Sequence, residues 1–90
     1  MEYKIVFGSE RVIRKDFEKI PRPEQIKILD ELENLDHTWP KSVQVKKLVN
    51  SPVADYRLRI GNYRVLFSLS MESGAITVFR VLHRSSAYKS

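Results

Sequence analysis

The sequence contains no cysteine and only three glycines among its 90 residues. Without cysteine, the chain has neither a disulfide framework nor a thiolate zinc site. Its glycines form no phosphate-binding loop, because Gly61 and Gly74 stand where turns are expected. The chain also lacks an apolar run of the roughly 18–20 residues that span a bilayer and the charged, then apolar, start of a signal peptide. These absences favour a cytoplasmic protein without a cofactor.

Charge is distributed unevenly along the chain, although its sum is only +5. Residues 1–40 carry seven Lys or Arg and nine Asp or Glu, whereas residues 41–90 carry nine and two. A half whose net charge is +7 favours a polyanionic partner on that side of the molecule. A solvated basic surface is the alternative that charge alone leaves open.

The stretch from residue 55 to residue 70, DYRLRIGNYRVLFSLS, predicts a β-hairpin. Apolar residues alternate with other residues in two runs, which is the pattern of half-buried strands. Gly61-Asn62 separates the runs, and glycine accepts the positive φ that a two-residue turn requires at its first position. This turn places Arg59 opposite Arg64 on an exposed face. Because two like charges repel in that arrangement, the pair indicates a site for an anion such as phosphate.

The other patterns predict an α+β fold of one domain over residues 1–90, since this length suffices for one modest core. The expected elements are a strand over Tyr3–Phe7, a helix capped by Ser9 and ending near Lys19, a helix over Glu24–Asp36, an edge strand over residues 43–48, the hairpin, and a last strand over Ala75–Leu82. Both helices should bury their apolar stripes on one face of the sheet. The expected core includes Ile13, Phe17, Leu32, Val65 and Phe67.

Residues of possible chemical importance cluster around the hairpin and after the last strand. They are Lys46, Lys47, Arg57, Arg59, Arg64, His83, Arg84 and Tyr88. Taken singly, each is typical of a solvated surface; taken together with the opposed arginines, they favour an anion-binding site. No metal site is predicted, because His37 and His83 are far apart and lack a nearby pattern of carboxylates.

The run from Val45 to Ser70, followed by VFRVLHRSSAY, resembles the RelE-type toxins of bacterial and archaeal toxin–antitoxin pairs, within the RelE/ParE superfamily. The most specific parts are YRLRIGNYRVLF and a His-Arg pair followed four residues later by Tyr. The order of strand, helical hairpin, three-stranded meander and basic tail extends the resemblance over nearly the whole chain. The fold implied is therefore the RelE-like α+β fold.

The resemblance implies a ribosome-dependent endoribonuclease that cuts translated mRNA. The 2′-hydroxyl of the RNA would attack the adjacent phosphate and leave a cyclic phosphate. The positions that match the family's catalytic set are Arg57, Arg59, Arg64, Arg84 and Tyr88. The implied partners are the small ribosomal subunit with its A-site mRNA and an adjacently encoded, RelB-like antitoxin. Neither a membrane nor a metal is implied.

Such a reaction needs a base, positive charge beside the pentacovalent phosphate, and a proton donor. Arginine suits the charge, but with a pKa of about 12.5 or above it is a poor base. Tyr88 is the expected base, because a phenol with a pKa of about 10 loses its proton more readily beside cations. His83 competes, since histidine titrates near neutrality, and Arg84 is the expected donor. Tyr88 could instead stack on a nucleobase.

Two other classes of function stay open. ParE-type toxins share the scaffold and inhibit DNA gyrase without acting as nucleases. The clustered arginines and the late tyrosine count against them, because those relatives typically lack this set. The third class is an RNA-binding module without chemistry, which only an assay for cleavage separates from the first.

Overall fold

A five-stranded mixed sheet and three helices make up the structure, a computed structural model that describes residues 4–38, 45–70 and 72–87. In chain order the elements are β1 (Lys4–Phe7), α1 (Glu10–Glu18), α2 (Arg22–Thr38), β2 (Val45–Lys47), β3 (Tyr56–Ile60), β4 (Tyr63–Ser70), β5 (Ala75–His83) and α3 (Arg84–Ala87). The strand order is β1-β5-β4-β3-β2. β1 runs parallel to β5, and the other neighbours are antiparallel. The predicted α+β fold with its meander is confirmed.

The helices begin and end for reasons that the sequence makes clear. The Ser9 hydroxyl accepts a hydrogen bond from the backbone N–H of Val12, which caps α1 as predicted. α2 begins at Arg22, two residues earlier than predicted, because the carbonyl of Pro21 already accepts from the N–H groups of Glu24 and Gln25. Pro23 fits this first turn, where its missing N–H leaves no gap.

The hairpin has the predicted register. Gly61 adopts a φ of +56° at the first position of the turn, a value that suits glycine. Ile60 pairs with Tyr63, Arg59 with Arg64, and Leu58 with Val65. The local turn chemistry thus fixed which side chains share a face.

The core lies between the two long helices and one face of the sheet. Its buried residues are Ile13, Ile20, Ile28, Leu32, Leu35, Leu58, Ile60, Val65, Phe67, Ile76, Val78 and Val81. Four of the five expected core residues are buried, but Phe17 is only partly buried. The reason is its position on α1, which packs mainly along β5 near the margin of the core.

A bulge in β5 changes which of its residues point to the core. Leu66 pairs with Arg80 and the next residue, Phe67, pairs with Val78, so Phe79 is an extra residue in β5. Consequently Val78 and Val81 are both buried although three positions separate them. A simple alternation therefore could not predict which face of this strand looks inward. The strand extends one residue further than predicted, to His83, and the following residues form α3.

Candidate nucleic-acid interface

The face of the sheet opposite the core carries a row of cations. By register, Lys46 on β2 lies beside Arg57 on β3, and Arg59 on β3 lies beside Arg64 on β4. We call the surface formed by these four residues the arginine face. Their alternate neighbours, including Leu58 and Val65, point to the core.

Acidic side chains are absent from the described strands. The five strand segments contain Lys and Arg but no Asp or Glu. The acidic residues of the described helices are on α1 and α2, mostly at exposed positions. The uneven charge of the sequence therefore becomes an uneven charge of the molecule, with the positive part on the sheet. Such a surface attracts polyanions through its summed field.

The two lysines of β2 do not share a face. Both are exposed, as predicted. Lys46 pairs with Arg57 and belongs to the arginine face, whereas Lys47 pairs with Tyr56, which packs against the core. The prediction placed both lysines among the RNA-binding residues, and the register separates them. Only Lys46 extends the arginine face.

The expectation that Arg64 faces solvent is wrong. The residue is only 5% exposed. Its Nη1 donates hydrogen bonds of 2.9 Å to the carbonyl oxygens of Gly61 and Tyr63, while its buried Nε has no hydrogen-bond partner among the described residues. The side chain folds back on the hairpin turn because the turn leaves carbonyl oxygens within its reach. By contrast, Arg59 is exposed and Arg57 is half-buried.

Arg84 lies at the same turn. It is the first residue of α3, and its backbone N–H donates a 2.7 Å hydrogen bond to the carbonyl of Asn62. The turn therefore brings the end of β5 next to the residues that hold Arg64. The side chain of Arg84 is exposed. Tyr88, the predicted base, lies outside the described residues.

His83 lies on the side of the sheet away from the arginine face. Its register partner is Tyr63, and the two rings stand perpendicular at a centroid distance of 5.6 Å. The backbone N–H of Ser85 donates to Nδ1 of His83 at 3.3 Å, and the Ser85 hydroxyl lies 3.0 Å from the same nitrogen. Because Nδ1 accepts, the proton of the neutral ring resides on Nε2. Nδ1 is therefore engaged by Ser85, and Nε2 is left for other groups.

An ion pair that the sequence interpretation missed holds the end of β5. Asp16 on α1 is 5% exposed and accepts bonds of 2.9 Å from Nε and Nη2 of Arg80. Asp16 also accepts a hydrogen bond from the N–H of Val81. β1 does not pair with this part of β5, because its last residue, Phe7, pairs with Val78. The sequence does indicate a buried carboxylate here, since Asp16 stands three residues after Ile13 on the apolar stripe of α1. These hydrogen bonds and the charge of Asp16 raise the pKa of Arg80.

No group of three or more His, Asp or Glu side chains is placed to hold a metal ion in the ranges 4–38, 45–70 and 72–87. Within the same ranges, no helix is both long enough and apolar enough to cross a membrane.

Comparison with known proteins supports the interpretation of the fold. No family model matches the sequence, and no curated protein matches it at a significant level. Solved structures do match. The toxin–antitoxin complex RelBE2 from Mycobacterium tuberculosis is 25% identical, with 93% of this chain and 100% of that chain covered and a TM-score of 0.68.

Two archaeal complexes resemble the chain to a similar degree. The RelB–RelE complex from Methanococcus jannaschii is 26% identical, with 93% and 95% of the two chains covered and a TM-score of 0.68. The RelE–RelB complex from Pyrococcus horikoshii OT3 is 23% identical, with 93% and 97% covered and a TM-score of 0.72. The predicted resemblance to RelE-type toxins is thereby confirmed, and the fold is RelE-like.

Proposed function

We propose, from the likeness to RelE-type toxins, that this chain is the toxin of a type II toxin–antitoxin pair and cleaves mRNA on the ribosome. The observation that carries the proposal is the arginine face, because Lys46, Arg57 and Arg59 are accessible on one side of the sheet. The buried Arg64 lies beside Arg59, and the strands that carry these residues contain no acidic residue. A surface of this kind suits the phosphate backbone of a single-stranded RNA. The mechanism is attack of the RNA 2′-hydroxyl on the adjacent phosphate.

The arginines supply charge rather than a base. Arg57 and Arg59 contact the phosphate, whose charge grows as the pentacovalent state forms. Arg64 is held by Gly61 and Tyr63, so it stabilises the same charge from a fixed position. Preorganised donors are more effective than mobile ones, because no reorganisation is needed during the reaction. Arg84, exposed at the neighbouring turn, protonates the leaving oxygen.

Tyr88 remains the proposed base, and the structure weakens the claim of its competitor. His83 pairs with Tyr63 on the side opposite the arginine face. A base must lie within hydrogen-bond reach of the hydroxyl that it deprotonates. In addition, Nδ1 of His83 already accepts from Ser85. Both observations favour a base from the segment that follows α3.

We propose two partners. RelE chains from three organisms have been solved in complex with RelB antitoxins, and we infer that a cognate antitoxin, mainly acidic or amphipathic, covers the basic surface of this chain. The antitoxin would bind through a helix laid in a groove or through a strand added at a sheet edge. The second partner is the small ribosomal subunit with mRNA in its A site.

In vitro translation of a defined message, followed by primer extension, tests the function. Discrete cuts that appear only in translated message support the proposal, and the triple variant Arg57→Ala, Arg59→Ala, Arg84→Ala should abolish them. A supercoiling assay with purified DNA gyrase runs in parallel. Inhibition of gyrase with intact message would show a ParE-type toxin instead, and binding of RNA without either effect would show a module without chemistry.

A further inference from the structure

A cavity of about 350 Å³ opens at the end of the sheet, where β5 runs into α3. Its lining includes two rings, Tyr63 and His83, two cations, Lys19 and Arg80, the anion Asp16, and Ser86. The volume is in the range of sites that enclose small organic ligands. None of the roles proposed above uses this cavity.

The two rings form a corner. They are perpendicular at 5.6 Å between centroids. A flat heterocycle can therefore stack on one ring while its edge meets the other. Tyr63 packs against the core, which fixes this corner, and His83 is exposed. Since Nδ1 of His83 accepts from Ser85, Nε2 is the nitrogen left to donate to a ligand.

The charged groups of the cavity favour an anion. Asp16 accepts from Nε and Nη2 of Arg80 and from the N–H of Val81, so its carboxylate is occupied inside the protein. Nη1 of Arg80 has no hydrogen-bond partner among the described residues, and the Arg80 side chain is 40% exposed. Lys19 is exposed at the C-cap of α1, forms no ion pair with another described residue, and adds a positive charge. A phosphate matches these donors.

We propose that this cavity binds one nucleotide of single-stranded RNA, with the base in the corner of Tyr63 and His83 and the phosphate at Lys19 and Arg80. Aromatic faces beside cations are the usual means of binding single strands without regard to sequence. The inference rests on the proposed function, since it gives the same RNA a second point of attachment.

The cavity and the arginine face are continuous around the end of the sheet. Leu82 lines the cavity and is the register partner of Arg64 on the arginine face. Tyr63 precedes Arg64 in β4 and points to the other side. One strand of RNA that crosses the arginine face can thus turn over the edge of the sheet where β4 begins and β5 ends, and place a flanking nucleotide in the cavity.

The experiment measures binding of a fluorescein-labelled hexaribonucleotide with a 2′-O-methyl group at every position, which removes the attacking hydroxyl. Fluorescence anisotropy over a series of salt concentrations gives the affinity and its salt dependence. Lys19→Gln is compared with Arg14→Gln, because Arg14 is an exposed cation within α1 that does not line the cavity. Both variants lose one positive charge.

Lys19→Gln should weaken binding about tenfold and reduce the slope of log K against log salt by about 0.7, the value for one phosphate of a single strand. Arg14→Gln should change neither quantity. Tyr63→Leu keeps an apolar side chain and loses the ring, so affinity should fall by about 5- to 150-fold with an unchanged slope. Equal effects of Lys19→Gln and Arg14→Gln would overturn the proposal, as would a folded Tyr63→Leu variant with wild-type affinity.

Competition separates a nucleotide site from a simple anion site. Adenosine monophosphate should displace the labelled RNA at a lower concentration than inorganic phosphate, because only the nucleotide fills the corner of the rings. Equal competition would overturn the proposal, and so would displacement by an acidic peptide alone. The measurement needs neither ribosomes nor cleavage. If RNA binding depends on Lys19 but the message stays intact, the cavity proposal holds and the nuclease proposal fails. If the message is cut but Lys19→Gln binds RNA like the wild type, the nuclease proposal holds and the cavity proposal fails.

Discussion

Arg59 and Arg64 are cross-strand neighbours on the arginine face, yet only Arg59 is exposed. Arg64 donates from Nη1 to the carbonyl oxygens of Gly61 and Tyr63 and is 5% exposed. These carbonyl dipoles offset part of its charge, which reduces the repulsion between the two guanidinium groups. The hydrogen bonds of Arg64 to the turn therefore make the close approach of these two arginines compatible with a stable hairpin.

Arg64→Ala should lower the free energy of unfolding by about 1–3 kcal/mol, because the buried Arg64 side chain loses two charged hydrogen bonds, to the carbonyl oxygens of Gly61 and Tyr63. Arg59→Ala is the matched control and should stay within about 0.5 kcal/mol of the parent, as an exposed substitution usually does. Urea denaturation of the two variants measures both values. Equal stability of the two would mean that the hydrogen bonds of Arg64 to the turn contribute nothing.

Lys46→Gln should reduce the salt dependence of binding to single-stranded RNA, with a slope smaller by about 0.7. Lys47→Gln should leave the slope unchanged, because the register turns its side chain to the opposite side of β2. The two lysines are adjacent and both exposed, so the comparison isolates the side of the sheet to which each side chain points. An identical loss in both variants would show that the charge of the edge strand, and not its face, determines binding.

Asp16→Asn should destabilise the protein by about 1–3 kcal/mol. The change removes the charge that faces Arg80, and the loss is smaller than for a fully buried pair because the Arg80 side chain is 40% exposed. Glu18→Gln, an exposed change on the same helix, is the control and should be nearly neutral. Thermal and urea unfolding test this, and a neutral Asp16→Asn variant would contradict the role of the ion pair.

Tyr88→Phe should slow the cleavage step by about 10²–10⁴-fold, the usual range for removal of a general base. Ribosome binding should be nearly unchanged, because phenylalanine keeps the ring. Single-turnover cleavage on programmed ribosomes at several pH values measures the step. If Tyr88 only stacks on a nucleobase, Tyr88→Phe is nearly neutral and Tyr88→Ala weakens binding, since stacking is worth about 1–3 kcal/mol per base.

His83→Gln tests the competing candidate for the general base. It should slow the cleavage step less than Tyr88→Phe does, because His83 lies opposite the arginine face. A full-rate Tyr88→Phe enzyme, beside a His83→Gln enzyme that binds RNA like the parent but does not cleave it, would identify His83 as the base.

The sequence by itself determined the hairpin, its turn and its register. These features depend on contacts between near neighbours, namely the alternation of Tyr56 to Ile60 and the positive φ of Gly61. The cap of α1 by Ser9 and the apolar stripe of α2 are local in the same sense. The resemblance to RelE-type toxins follows from the same hairpin segment, since that segment is the most specific part of the pattern.

The tertiary structure alone decided where several site residues lie. Asp16 and Arg80 are 64 positions apart in sequence, and nothing local relates α1 to β5. The bulge at Phe79 breaks the alternation of β5, so the face of the sheet on which His83 lies could not be predicted from the sequence around it. The burial of Arg64 likewise depends on packing around the turn. Alternation and turn chemistry fix the conformation of a segment, whereas burial and long-range pairing depend on which segments the fold brings together.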